Sequence, residues 1–181
     1  MNNFVFQNPT KLVFGKGEIK RLSKLIDKDK KILITYGGGS IKRNGVYEQV
    51  IKALEGYDIV EFSGIEANPD YSTLMKAVDI CRTQNIDFIL AVGGGSIIDG
   101  TKFIATAAKF EGEDAWDILS KKERLPKPMD FASVLTLPAT ASEMNNGAVI
   151  SRRDRQEKLA FHNPEGYPKF SILDPDVVLS L

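Results

Sequence analysis

The pentapeptide Gly-Gly-Gly-Ser-Ile occurs twice, at 37–41 and at 93–97, and no other feature limits so sharply what this chain can fold into. Each copy closes a compact apolar run: Lys31–Tyr36 (KILITY) before the first, Asp87–Val92 (DFILAV) before the second. Each leads into residues with apolar side chains at helical spacing, Val46, Val50 and Leu54 after the first and a helix from about Ile97 to Ala108 after the second. Three consecutive glycines cost conformational entropy on folding, so a plain turn has no need of them. They allow a ligand to come close to backbone N–H groups, and at a helix N-terminus those groups and the dipole favour an anion. Ser96 adds a hydroxyl donor at the same place.

The pattern around the repeats is strand, helix, strand, helix. Phe4–Phe6 and Lys11–Phe14 read as two short strands around Asn8-Pro9, and Glu18–Ile26 as a helix with Ile19, Leu22 and Ile26 on one face. Tyr57–Phe62 is a strand, and Asn68-Pro69-Asp70 opens a helix whose apolar face carries Leu74, Ala77, Val78 and Cys81. A charged stretch from Glu111 to Pro128 reads as an exposed excursion pinned by Trp116, Ile118 and Leu119. Beyond it Val134–Leu137 is strand-like up to Pro138, with weaker strands at Ala148–Ser151, Lys158–Phe161 and Phe170–Leu173. This order predicts a single α/β domain over 1–181, a parallel sheet with helices on both faces and the N-terminal strands at its edge. Right-handed crossovers then bring both glycine turns to one edge of the sheet.

Lys plus Arg and Asp plus Glu both total 24, so the chain lacks the basic field that draws a protein to nucleic acid or anionic lipid. No apolar run approaches the roughly 18 residues needed to span a bilayer, and the opening Met-Asn-Asn-Phe-Val-Phe has no secretion signal. Cys81 is the sole cysteine, which excludes an internal disulfide and fits a reducing compartment, with the cytoplasm as the expectation. On an apolar helix face Cys81 reads as core.

Two turns on one edge suit a ligand with two separated phosphate groups, as NADP has in its pyrophosphate and 2′-phosphate. Neither turn is a G-x-G-x-x-G fingerprint, since Lys42 and Ile98 occupy the third glycine position, and neither ends in the Gly-Lys-Ser/Thr of a P-loop. Glu61 lies where a ribose-binding carboxylate of the ordinary dinucleotide fold would be, but reads as a solvated strand end. A nucleotide- or sugar-phosphate-binding module without redox activity is the alternative, as is an interaction remnant.

The run Phe88–Lys102, with Gly93-Gly94-Gly95-Ser96-Ile97-Ile98-Asp99, resembles the GGGS-x-x-D segment of the iron-containing (group III) alcohol dehydrogenases. Leu137-Pro138-Ala139-Thr140-Ala141-Ser142-Glu143 resembles the family's P-x-T-x-G-S-E stretch, and Leu173-Asp174-Pro175 the strand that closes its N-terminal domain. Asn8-Pro9-Thr10 and Phe14-Gly15-Lys16-Gly17 match its opening. Thr35–Ser40 is most similar to the NADPH-dependent aldehyde reductase and butanol dehydrogenase branch. Family members that favour NAD commonly carry an aspartate in the first loop, whereas this chain has no acid between Tyr36 and Val46 but Ser40, Lys42 and Arg43. Lys42 and Arg43 read equally well as phosphate contacts or as a solvated helix start.

The resemblance implies NADP(H) as cofactor, with Gly37, Gly38 and Ser40 at the 2′-phosphate and Gly94, Gly95 and Ser96 at the pyrophosphate. It places Asn68 and Pro69 along the adenosine, and Asp99, Thr136, Thr140, Asn145 and Lys158 at the ribose and nicotinamide end. Ala141 departs from the family's glycine, and its methyl is expected to weaken cofactor binding. The family reaction moves a hydride between nicotinamide and an alcohol or aldehyde carbon, aided by iron or zinc held by one Asp and three His in a helical second domain. That domain is absent from these 181 residues, and the single histidine, His162, reads as structural or solvent-facing. No catalytic or metal-ligating residue is therefore expected here: the chain binds cofactor without turning over. A homodimer through the N-terminal strands is expected. Asp174-Pro175-Asp176 leads to Leu181 with no capping or charge pattern of a natural end.

Overall fold

A computed structural model describes residues 3–5, 7–121 and 124–178. In chain order the elements are β1 (Lys11–Phe14), a 3-10 turn (Glu18–Arg21), α1 (Leu22–Leu25), β2 (Lys31–Thr35), α2 (Ser40–Arg43), α3 (Val46–Ala53), β3 (Asp58–Phe62), α4 (Tyr71–Thr83), β4 (Phe88–Gly93), α5 (Gly95–Ala107), α6 (Asp117–Ser120), β5 (Asp130–Leu135), β6 (Gly147–Arg152), β7 (Glu157–His162), β8 (Phe170–Leu173) and α7 (Pro175–Val178). Six strands form one parallel sheet in the order β1-β8-β5-β4-β2-β3, and β6 and β7 form a separate antiparallel hairpin.

β4 lies inside the sheet between β2 and β5, and all six of its residues are buried, as expected of a strand covered on both faces. Its side chains alternate between two apolar clusters. Ile89 and Ala91 join Leu74, Ala77, Val78 and Cys81 of α4 and Phe103 and Ile104 of α5. Phe88, Leu90 and Val92 face the other way, onto Ile19, Leu22, Val46, Val50 and Leu54. Each such fully buried aliphatic or aromatic side chain stabilises the fold by about 1.5–3 kcal/mol. α4 starts where Asp70 accepts hydrogen bonds from the Ser72 backbone N–H at 3.1 Å and its hydroxyl at 2.6 Å, a cap worth about 1 kcal/mol.

Four differences from the sequence reading have local causes. Phe4 and Val5 are not in a strand, and Phe6 lies outside the described residues; β1 alone reaches the sheet edge, paired with β8. Glu18–Ile26 is a 3-10 turn followed by one α turn, although Ile19, Leu22 and Ile26 are buried together as their spacing requires. β5 starts earlier than Val134 and stops at Leu135, paired with Gly93 at the end of β4, the Thr136 N–H donating to the Gly93 carbonyl (3.0 Å) as the last rung of the parallel ladder. The first glycine turn opens into the single turn α2, then Asn44-Gly45, and only then α3. The helix-dipole argument thus applies to the second turn, which opens the thirteen-residue α5 directly.

Candidate cofactor site

Parallel β2 and β4, with Thr35 opposite Ala91, deliver both glycine turns to the same end of the sheet. The turns touch: a Cβ built on Gly37 lies 3.3 Å from Cδ1 of Ile97. Packing and backbone conformation account for most of these glycines. Gly39 has φ 92°, a left-handed conformation costly for any side chain. A Cβ on Gly93 would lie 2.4 Å from Ile97 Cγ1, one on Gly95 2.4 Å from Thr140 Oγ1, and one on Gly37 3.1 Å from the Ile65 carbonyl oxygen. The middle glycine of each turn is different. Gly38 has no heavy atom within 4 Å of its Cβ position, and Gly94 meets Leu137 Cβ at an ordinary 3.4 Å. Neither has a left-handed φ. The fold requires no glycine at these two equivalent positions, where glycine leaves the backbone open to close approach. No side chain caps the first turn of α5, whose N–H groups favour an anion.

Around the second turn the structure gathers Thr136, Thr140, Asn145 and Asp99. Thr140 Oγ1 shares a 2.7 Å hydrogen bond with Ser142 Oγ, and Asn145 Nδ2 donates to the Thr140 carbonyl at 3.5 Å. Asp99, in the second turn of α5, accepts from the Val149 N–H at 3.1 Å through Oδ2, while its Oδ1 is buried without a hydrogen-bond partner among the described residues. Burial raises the Asp99 carboxyl above its ordinary value, against the pull of Ser142 and Lys102. A buried acceptor without a partner, on the helix that the second turn opens, suits a polar ligand group. Ala141 has φ 54°, so the family's glycine at this place answers a left-handed backbone, a requirement independent of ligand approach.

Around the first turn Gly38 and Ser40 are exposed, with Gly37 partly so. Lys42 and Glu61, on which the sequence left a solvated role open or preferred, are both engaged. Glu61 accepts from the hydroxyls of Tyr36 and Tyr47, each at 2.7 Å, and Lys42 Nζ stands 3.8 Å from it, over both tyrosine rings. Burial works to raise the Glu61 carboxyl, but the tyrosine hydrogen bonds and the Lys42 charge outweigh it and hold it below its ordinary value. Sequence spacing could not find this clasp, because Glu61 lies on the edge strand, 25 residues from Tyr36. Pro69 approaches α5 beside Gly100, and the preceding Asn68 takes a left-handed φ of 57°, which its short polar side chain tolerates. Lys158 of β7 donates to Asn68 Oδ1 at 2.7 Å, so these two, assigned by resemblance to opposite ends of the cofactor, form one bridge.

The hairpin carrying Lys158 is buckled to α4 through the excursion. Arg152 lies over the Tyr71 ring (4.5 Å to its centre) and donates to Asp114 at 2.9 Å, which also accepts from the Tyr71 hydroxyl at 2.8 Å and the Trp116 N–H at 2.9 Å. Burial opposes the Asp114 charge, but these donors hold its carboxyl down to about 2. Trp116 is buried, as its place in the excursion predicts.

Lys102 is the residue that the sequence reading missed. It sits on α5 four residues after Ile98, with 1% of its surface exposed, and a lysine at a core-facing helical position was the available signal. Burial pulls its ammonium down to about 8, against the opposing charges of Asp99 and Glu143.

The donor set does not fit a divalent metal. Among the described residues no group of three or more His, Cys, Asp or Glu could hold one, and His162 is exposed at the end of β7, its ring against Gly147. Burial raises the Cys81 thiol to about 12, so it is packing rather than a ligand or nucleophile. Among the described residues no helix is long and apolar enough to cross a membrane.

A parallel sheet with paired glycine turns over its strand ends defines a Rossmann-like α/β protein. The chain belongs to the iron-containing alcohol dehydrogenase family, whose family model matches residues 9–175. It is 54% identical over 178 residues to a probable NADH-dependent butanol dehydrogenase of Bacillus subtilis, covering 97% of this chain and 46% of the relative. It is 52% identical over 177 residues to the NADPH-dependent aldehyde reductase YqhD of Escherichia coli, with the same coverage. The crystal structure of YqhD superposes with a TM-score of 0.95 at 51% identity, over 99% of this chain and 47% of that one. A butanol dehydrogenase structure from Thermotoga maritima gives 0.94 at 43% identity, over 100% and 46%. The chain thus spans a little under half the length of these relatives, their N-terminal half.

Proposed function

We propose that this chain is the NADP(H)-binding half of an alcohol dehydrogenase or aldehyde reductase. The observation that carries the reading is the pair Gly38 and Gly94, one in each turn, where neither backbone nor packing calls for glycine. Gly94, Gly95 and Ser96 at the start of α5 hold the pyrophosphate, and Gly37, Gly38 and Ser40 the 2′-phosphate. Asp99, Thr136, Thr140, Asn145 and Lys158 hold the ribose and nicotinamide end, and Asn68 and Pro69 line the adenosine side. Bound NADPH supplies the hydride that reduces an aldehyde carbonyl.

NADP over NAD rests on the first turn's own chemistry, since near-equal relatives carry either cofactor in their names. Backbone N–H groups, the Ser40 hydroxyl and Lys42 suit a dianionic phosphate, and the Glu61 carboxylate on the neighbouring strand is already occupied by two tyrosines and Lys42. The iron or zinc of the family reaction finds no ligand set among the described residues, and on this reading the 181 residues alone bind cofactor without turnover. Exposed Leu12 and Phe14 on the edge strand β1, with exposed Phe4 and Val5 before it, support a homodimer formed through this edge. The free, buried Cys81 supports a reducing, cytoplasmic location.

Titration with NADPH, followed by its intrinsic fluorescence, tests the reading. A saturable blue shift and enhancement are expected, with weaker binding of NADH and no turnover above blank on addition of an aldehyde and iron or zinc salts. Absence of a saturable response, or tighter binding of ATP or a sugar phosphate, overturns it.

A further inference from the structure

Lys102 is the most deeply buried charged side chain among the described residues, on a helix that also buries Ile97, Ile98, Phe103 and Ile104. Placing an ammonium there carries a desolvation cost, and an apolar residue of the same shape commonly serves stability as well or better. Something other than packing keeps it there, and its contacts say what. Nζ donates to Asn145 Oδ1 and to the Gly147 carbonyl oxygen, both at 2.7 Å. Asn145 Oδ1 also accepts from the Gly147 N–H at 3.0 Å, and Asn145 Nδ2 reaches back to the Thr140 carbonyl. One turn earlier on α5, Asp99 holds the Val149 N–H. The polar stripe of α5 thus holds Asn145, Gly147 and Val149 and reaches Thr140 through Asn145, and Thr140 lies against Gly95 so closely that a Cβ there would collide with its hydroxyl.

We propose that Lys102 is a positioning residue for the nicotinamide end of the cofactor: by fixing Asn145 and the Gly147 carbonyl, it sets Thr140 and Asn145 against the second glycine turn. The inference rests on the cofactor reading given above. The hydrogen bonds of Lys102 among the described residues run to Asn145 and Gly147, in the segment beside the second turn, so its influence falls on one half of the dinucleotide.

Two ligands separate this role from a merely structural one. NADPH contains both halves; 2′,5′-ADP contains the 2′-phosphate and adenosine without the nicotinamide. In Lys102→Met, which keeps the length and removes the donors, NADPH affinity falls at least tenfold and the blue shift of its emission shrinks, while 2′,5′-ADP affinity stays within about twofold of the wild type. Adding Asn145→Ala to Lys102→Met then costs little more, because the asparagine is already released. If Lys102→Met does not fold, Lys102→Gln, which retains a donor, is read by the same comparison. Unchanged NADPH affinity, or equal loss for both ligands, overturns the proposal. Failure of the wild-type chain to bind either ligand would instead overturn the cofactor reading.

Discussion

Replacing Gly38 with alanine separates a ligand-binding glycine from a fold-determining one. Gly38 has no left-handed φ, and its built Cβ has no heavy atom within 4 Å, so the methyl enters open space. Stability should then be unchanged or rise by about 0.4–1 kcal/mol, since alanine narrows the unfolded ensemble without straining the folded one. Binding should move the other way. A Cβ stands about 1.5 Å from Cα, enough to hold a phosphate away from the backbone N–H groups at 2.7–2.9 Å charge-assisted range. One such hydrogen bond to a charged group contributes about 1.5–3 kcal/mol, which is roughly ten- to a hundredfold in Kd. Thermal unfolding and NADPH titration of Gly38→Ala, side by side, are the assay. Unaltered affinity at unaltered stability would refute the inference that the middle glycine faces a ligand. The control is Gly95→Ala, where the Cβ position lies 2.4 Å from Thr140 Oγ1 and fold and binding should fail together.

Ala141→Gly should stabilise the chain: relief of a left-handed alanine (φ 54°), about 1–2 kcal/mol, exceeds the added glycine entropy of about 0.5–1 kcal/mol. A Tm that falls would show that Ala141 is not strained. Asp114 gives a pH signature. Its folded carboxyl lies near 2, below the ordinary 3.8, so its stabilisation is complete above about pH 4 and lost as pH falls through 2. In Asp114→Asn the acid limb of stability between pH 4 and 2 should flatten and stability at pH 7 should drop, as urea unfolding across that range would read; an unchanged limb would place the acid sensitivity elsewhere.

The sequence alone determined the architecture. Apolar runs that end in glycine, alternating with 3.6-period faces, leave a parallel sheet covered on both sides as the consistent packing, and the buried sets on α3, α4 and β4 follow that periodicity. It also marked both turns, because three glycines in a row are conspicuous without any coordinates. What it could not assign was which glycine does what. That depends on atoms distant along the chain: Thr140 beside Gly95, Ile65 beside Gly37, nothing beside Gly38. The same holds for Glu61, which reads as solvated until Tyr36 and Tyr47 close on it, and for Lys102, whose partners lie 43 and 45 residues away. Periodicity reports which face of an element is buried. The pairing of polar groups inside that burial is decided only when the elements pack, since hydrogen bonds and charge depend on distances of a few ångströms that local sequence does not set.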